Sequence, residues 1–194
     1  MRNSKLNRET SETKIEVVLG IDGNGKFNVE SGIGFFDHML DSLARFACFD
    51  LHIKAKGDLH VDQHHTIEDC GIVLGQAFRE ALGDKSGIER VGDCLFPMDE
   101  ALVQVAVDIS NRGYLVWKVD CSEGMVGDFP VEMAEEFFRA LAINAGITLH
   151  INLLSGKNKH HILEAIFKGV GRALGLASRY NNRQEGIPST KGTL

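Results

Sequence analysis

Two copies of one five-residue pattern carry the clearest chemistry in this chain, His64-His65-Thr66-Ile67-Glu68 and His160-His161-Ile162-Leu163-Glu164. Imidazole and carboxylate without thiolate are donors suited to manganese, iron or zinc, and an octahedral ion with positions open to substrate is their natural use. Side chains three or four apart share a helix face, so either histidine can stand beside the glutamate while the two imidazoles of a pair diverge. One ion therefore does not take both. Each pair is expected to serve neighbouring metal sites, giving a two-metal centre drawn from both copies, with a subunit interface as one place to assemble it.

These side chains need elements to aim them. Alternation at Ile15, Val17 and Leu19, the turn-forming Asp22-Gly23-Asn24-Gly25, then Phe27 and Val29 predict a β-hairpin. A helix is expected around 37 to 47, a strand over 51 to 56 and a helix from about 66 to 82. The second half repeats the order, with strands near 101 to 109 and 114 to 119, a helix over 131 to 145, a strand at 147 to 153 and a helix over 161 to 177.

Residue identity supports a duplication. Leu43-Ala44 matches Leu141-Ala142 and Leu51-His52-Ile53 matches Leu149-His150-Ile151 at an offset of 98, and the His-His-x-x-Glu copies match at 96. Gly71 and Gly75 in one helix and Gly171 and Gly175 in another are read as close-packing positions between helices covered by sheets. The fold class is therefore α/β, of the α+β type, built from internally duplicated half-domains with helices packed between two β-sheets. Residues 1–92 are taken as the first half, 93–178 as the second and 179–194 as a C-terminal tail. His52 and His150 are read as outward or hydrogen-bonded strand residues, and His60 has no repeat counterpart.

At 194 residues and 43% hydrophobic content the chain can bury a core without disulfides. Its four cysteines show no C-x-x-C spacing and are expected to be buried thiols in a reducing compartment. A polar N-terminus and the lack of an apolar run near the ~20 residues of a membrane span predict a cytoplasmic protein with no membrane partner. A net charge of -6 without a basic stripe argues against nucleic acid, while leaving room for a basic pocket around a small anion.

Five motifs in order make the chain resemble the imidazoleglycerol-phosphate dehydratase family over nearly its full length. They are Gly32-Ile33-Gly34-Phe35-Phe36-Asp37-His38-Met39-Leu40-Asp41, Asp62-Gln63-His64-His65-Thr66-Ile67-Glu68-Asp69, Met98-Asp99-Glu100-Ala101-Leu102, His160-His161-Ile162-Leu163-Glu164-Ala165 and Pro188-Ser189-Thr190-Lys191-Gly192. The resemblance implies the ribosomal protein S5 domain 2-like fold and a lyase of histidine biosynthesis that dehydrates imidazoleglycerol phosphate to imidazoleacetol phosphate. It further implies two Mn(2+) ions per active site, holding the substrate ring as imidazolate, and a large homo-oligomer with active sites shared between subunits.

Carried over by motif, the resemblance makes His38, His64, His65, Glu68, His160, His161 and Glu164 the metal ligands. It makes Arg90, Arg112, Lys168, Ser189, Thr190 and Lys191 contacts of the substrate and its phosphate, together with Glu12, His38, His64, Glu68 and His160. Arginine offers a bidentate fork to phosphate, and the tail from Ser189 to Gly192 resembles a loop that closes over substrate. Glu12, in Arg8-Glu9-Thr10-Ser11-Glu12-Thr13, is the candidate proton-transfer group, since it is not among the ligands.

One position departs from the family pattern. Many members carry a histidine where this chain has Glu136, and the repeat points to the same residue, because His38 lies five positions before Leu43 and Glu136 five before Leu141. Glu136 is thus an expected ligand, with a solvated helix charge beside Glu135 as the alternative and His150 as the next candidate. Two other functions remain open to the same residues: a two-metal hydrolase of a phosphorylated small molecule, and a metal-storage or metal-bridged assembly protein.

Overall fold

The structure is a computed structural model that describes residues 1–121 and 123–194. Four strands, β1 (Asn3–Glu9), β2 (Thr13–Gly20), β3 (Phe27–Glu30) and β4 (Asp50–Gly57), form a sheet in the order β1-β2-β4-β3. The helix α1 (Gly34–Ala47) lies between β3 and β4 in sequence, and α2 (His64–Leu82) follows β4. The second half is laid out likewise. Strands β5 (Val91–Met98), β6 (Ala101–Asp108), β7 (Tyr114–Lys118) and β10 (Thr148–Ser155) form a sheet in the order β5-β6-β10-β7. Its helices are α3 (Met133–Ala145) and α4 (Lys159–Ser178).

The duplication extends to the register. Leu19 faces Leu51 between β2 and β4, Val107 faces Leu149 between β6 and β10, and each sheet ends in a parallel pair, β3 with β4 and β7 with β10. The offset between halves is accordingly 88 residues at β2 and β6 but 98 at β4 and β10. Ten extra residues therefore enter the second half between β7 and α3, where the small strands β8 (Met125–Val126) and β9 (Phe129–Pro130) pair. Phe129 from this insertion is fully buried and stacks on Phe36 of α1, so the insertion joins the core.

One expected element is corrected. The chain does turn at Asp22–Gly25, but β2 and β3 do not form a hairpin, because β4 lies between them, antiparallel to β2 and parallel to β3. The physical reason is at Asp50, whose Oδ1 accepts from the Asn24 and Lys26 amides at 2.9 and 3.0 Å and fixes the turn to the start of β4. These backbone hydrogen bonds hold the Asp50 carboxyl below its ordinary range. The polar strand β1 and the largely apolar β5 were not expected from periodicity.

Between the sheets the helices pack in crossed pairs, α1 against α4 and α2 against α3. The glycines explain the closeness. A Cβ on Gly75 would stand 2.7 Å from the Leu141 carbonyl oxygen of α3, and one on Gly171 would strike the Leu43 carbonyl oxygen of α1. Gly75 and Gly171 are equivalent at the 96-residue offset, and Leu43 and Leu141 at 98, so the two contacts are related by the duplication. Gly71 and Gly175 make similar approaches, to Phe137 and Ala47. All four cysteines are free, but only Cys70 is buried; Cys48 is exposed at the end of α1 in a left-handed conformation, φ 58°. The expectation of buried thiols thus holds for one of four. No described helix is long and apolar enough to cross a membrane.

Candidate active site

The first histidine of each copy emerges where its helix starts. Asp62 Oδ1 accepts from the His64 amide at 2.8 Å and Asn158 Oδ1 from the His160 amide at 2.9 Å. These acceptors sit two residues before each histidine and correspond at the 96-residue offset; Asn158 is the N-cap of α4, while Asp62 stands one residue before the N-cap of α2. Within each pair the imidazoles diverge, at 80° and 6.3 Å between centroids for His64 and His65, and 80° and 6.2 Å for His160 and His161.

The crossed helices bring His38 of α1 to His160 and Glu164 of α4. His38 Nε2 is 3.5 Å from Glu164 Oε1, His160 Nε2 is 3.2 Å from Glu164 Oε2, and candidate ligand atoms of all three lie within 4.8 Å of one another. Among the described residues this is the cluster of three that could hold a metal ion. Glu164 is buried, which pushes its carboxyl pKa up, but Lys168 at 2.8 Å and the two imidazoles outweigh burial and the net shift is downward. An ionised carboxylate between two imidazoles is a fitting donor set for manganese, iron or zinc.

By the duplication, the counterparts of His38, His160 and Glu164 are Glu136, His64 and Glu68, carried on the packed pair α3 and α2. His64 Nε2 is 3.9 Å from Glu68 Oε2. Glu136 instead lies 3.9 Å from Arg139 Nε, and Arg139 also pairs with Glu135, so these three side chains are not gathered as tightly as the first set.

His65 and His161 turn to other partners. His65 Nδ1 lies 3.1 Å from Asp58 Oδ2 and its Nε2 3.8 Å from Glu12 Oε1. His161 Nδ1 lies 2.8 Å from Glu100 Oε2 and its Nε2 3.6 Å from Asp99. The carboxylate hydrogen bond raises the pKa of each imidazole, Asp58 for His65 and Glu100 for His161, while the His161 contact and two backbone amides hold Glu100 down to about 2. Glu100 and Asp58 were not singled out from sequence, although Glu100 stands inside one of the recognised motifs.

Glu12 sits on the turn between β1 and β2. Thr10 Oγ1 accepts from the Glu12 and Thr13 amides at 3.1 and 3.0 Å, while Thr13 Oγ1 and Arg8 both bind Asp69 of α2. The turn is therefore tied to the helix carrying His64 and His65, and the Glu12 side chain is left exposed.

A separate recess gathers basic and hydroxyl groups from distant parts of the chain. Arg90, Arg112, Ser189, Thr190 and Lys191 line it together, with Ser110 and Asn111. Arg90 adopts φ 69°, a left-handed conformation that costs a non-glycine residue of order 1–3 kcal/mol. Its guanidinium is held by Asp108 at 2.8 and 3.2 Å and donates to the Pro188 carbonyl at 2.8 Å. Lys168 is not in this recess; it lies beside Glu164, 3.6 Å from Met98 Sδ and 5.4 Å from the centroid of the Phe46 ring. His52 pairs with Glu16 and Asn28, as an outward strand histidine should, His150 is exposed, and His60 is exposed between β4 and α2.

A duplicated frame with an imidazole–carboxylate cluster at its helix starts and a separate basic recess has the layout of a metal-dependent enzyme for a small anionic substrate. The family model for imidazoleglycerol-phosphate dehydratase matches residues 31–174. An imidazoleglycerol-phosphate dehydratase from Desulfitobacterium hafniense is 69% identical over 194 residues, covering 100% of this chain and 99% of that protein. One from Roseobacter denitrificans is 56% identical over 195 residues, with 100% of each covered. Crystal structures of the enzymes from Staphylococcus aureus and Pyrococcus furiosus each superpose with a TM-score of 0.84 at 40% identity, covering 92% and 97% of this chain and 99% and 100% of theirs. The chain belongs to the imidazoleglycerol-phosphate dehydratase family, and it is a hydro-lyase.

Proposed function

We propose that the protein converts D-erythro-imidazoleglycerol phosphate to imidazoleacetol phosphate with loss of water, using two Mn(2+) ions per active site. The observation that carries this reading is the His38, His160 and Glu164 cluster on a chain 69% identical to a dehydratase of that name. The proposed ligands are His38, His64, His65, Glu68, Glu136, His160, His161 and Glu164. When bound, the ions would supply positive charge to hold the substrate ring as imidazolate, so that it can accept the electrons left by proton removal from the adjacent carbon.

The remaining work falls to this chain's own side chains. Arg90, Arg112, Ser189, Thr190 and Lys191 bind the phosphate, with the Arg90 guanidinium held in place by Asp108 and the Pro188 carbonyl, and residues 179–194 close over the substrate. Lys168 reaches the substrate from beside Glu164. Glu12, exposed 3.8 Å from His65 and free of backbone anchors on its carboxylate, moves the proton. Because the two histidines of each copy face different ways, a complete coordination sphere draws on more than one chain, which supports a large homo-oligomer with shared sites. The partners are then the substrate and further copies of this chain, in the cytoplasm.

The test is purified protein supplied with manganese and imidazoleglycerol phosphate, followed by a ketone readout and sedimentation of the assembly. Ketone formation abolished by chelator, and by His64→Ala or His160→Ala with loss of bound metal, is the expected result. Release of inorganic phosphate without ketone would instead identify a two-metal hydrolase.

A further inference from the structure

Each second histidine of the repeated motif is held at Nδ1 by a carboxylate from outside its helix, but the two carboxylates come from different places. In the second half it is Glu100, in the two-residue connection between β5 and β6. At the 88-residue offset of these strands, the counterpart of Glu100 is Glu12. Yet Glu12 is not the Nδ1 partner of His65; Asp58 takes that position from the end of β4, at 3.1 Å. The duplication has therefore kept one contact, carboxylate to Nδ1, while changing the residue that makes it. A contact preserved by different residues in each half points to a requirement at the imidazole rather than to inherited packing.

We propose that Glu100 and Asp58 are positioning residues of the metal centres, each holding its histidine protonated at Nδ1 so that Nε2 is left as the ligating atom of His161 and His65. The inference rests on the metal-centre reading above and adds residues to it. Imidazole ligates through an unprotonated nitrogen, and which nitrogen that is depends on the hydrogen bond made by the other. The Asp58 substitution also explains why Glu12 is left free beside His65, available for proton transfer, whereas Glu100 is locked in place.

The two oxygens of Glu100 separate this role from a merely structural one. Oε1 accepts from the Lys157 and Asn158 amides at 3.1 and 2.8 Å and so anchors the loop entering α4, while Oε2 alone faces His161. Glu100→Gln keeps an oxygen for both amides but presents an NH2 to Nδ1. Nδ1 must then accept, and the proton moves to Nε2.

The experiment compares manganese binding by metal-stripped wild type and Glu100→Gln, both full length, by electron paramagnetic resonance of free Mn(2+) during titration, alongside the melting temperature of the apo proteins. The expected result is an apo melting temperature like that of wild type with affinity weakened about 10- to 100-fold at the affected sites, the usual loss when such a partner is removed. Asp58→Asn should weaken binding likewise at the His65 site. Wild-type affinity in Glu100→Gln overturns the inference, as does an affinity loss that merely follows a lowered apo melting temperature. Wild type that takes up no manganese would instead remove the metal centre itself, and this inference with it.

Discussion

Replacing Gly75 by alanine tests whether close packing of the crossed helices is what holds the site together. The added Cβ would stand 2.7 Å from the Leu141 carbonyl oxygen, 2.9 Å from the Ala145 amide nitrogen and 2.9 Å from the Asn144 Cβ. All three lie under the 3.0 Å that real Cβ contacts essentially never breach, and two are backbone atoms of α3 that cannot rotate away. Overpacking of this kind costs ~1–3 kcal/mol, toward the upper end where backbone must move, while alanine returns about 1 kcal/mol of helix propensity. The net is a loss of roughly 2 kcal/mol. In a domain of this size that lowers the melting temperature by about 4–8 °C. Gly34→Ala is the internal control, since nothing lies within 4 Å of its added Cβ, and it should leave the melting temperature unchanged or raise it. Because α2 carries His64 and Glu68 and α3 carries Glu136, parting the helices by a few tenths of an ångström exceeds the ~0.2 Å tolerance of metal–ligand distances, so manganese should also bind less tightly. Calorimetry of the apo proteins and a metal titration read the two effects. A Gly75→Ala protein as stable as Gly34→Ala would refute the packing argument.

Three further outcomes are expected. Glu136→Ala should lose about one ion per chain while Glu136→His retains it, measured by metal analysis of gel-filtered protein; both ions retained in Glu136→Ala would make it a solvated charge paired with Arg139. Arg90→Ala should raise the substrate KM by about one to two decades, the worth of a ~1.5–3 kcal/mol charge-assisted contact, with manganese affinity unchanged; wild-type KM would remove it from the phosphate site. The pH dependence should change sign with metal: His65 and His161 have raised pKa values in the metal-free protein, so their stabilisation is complete below the unfolded value near ~6.5 and lost as pH rises through the folded values. Apo melting temperature should thus fall as pH rises above ~6.5 while that of manganese-loaded protein rises, as protons cease to compete for the imidazoles; parallel profiles would contradict it.

The doubled half was legible because the core-facing identities, Leu43 with Leu141 and Leu51 with Leu149, sit where strands and helices must be alike for both halves to pack. The strand between β2 and β3 was not. An Asp-Gly turn flanked by alternating residues signals a local turn, but here a distant carboxylate, Asp50, holds the turn and its own strand separates the flanks. Strand β1 was missed because polar, exposed residues dominate its outer face, and β5 because its exposed face, Val91, Asp93, Leu95 and Pro97, is largely apolar, so no polar–apolar alternation marks it. The basic recess could not be read from spacing, since Arg90 and Lys191 meet across a hundred residues and Arg90 is aimed by a left-handed backbone that no periodicity announces. Resemblance supplied those residues. Glu100 could have been found by extending the repeat comparison to β2 and β6, where the 88-residue offset pairs it with Glu12.

The halves differ most in charge. Beside the His38 set stands Lys168, 2.8 Å from a Glu164 side chain only 8% exposed; at the 96-residue offset its counterpart is Ile72, and Glu68 is 46% exposed and pairs with no lysine among the described residues. Under the proposed ligand sets, one centre therefore has a single carboxylate largely neutralised by an internal ammonium, while the other has two carboxylates, Glu68 and Glu136. A divalent ion at the first centre must share Glu164 with Lys168, and at a few ångströms in a partly buried site two like charges repel by several kcal/mol at an effective dielectric near 20. An ion there would be held less tightly and stay more electrophilic, and Lys168 would be drawn toward negative charge arriving from solution. The substrate's phosphate is such a charge. The same asymmetry would give the second proposed centre the stronger field for a cation, so two ions bound to the duplicated halves would differ in affinity and in chemistry.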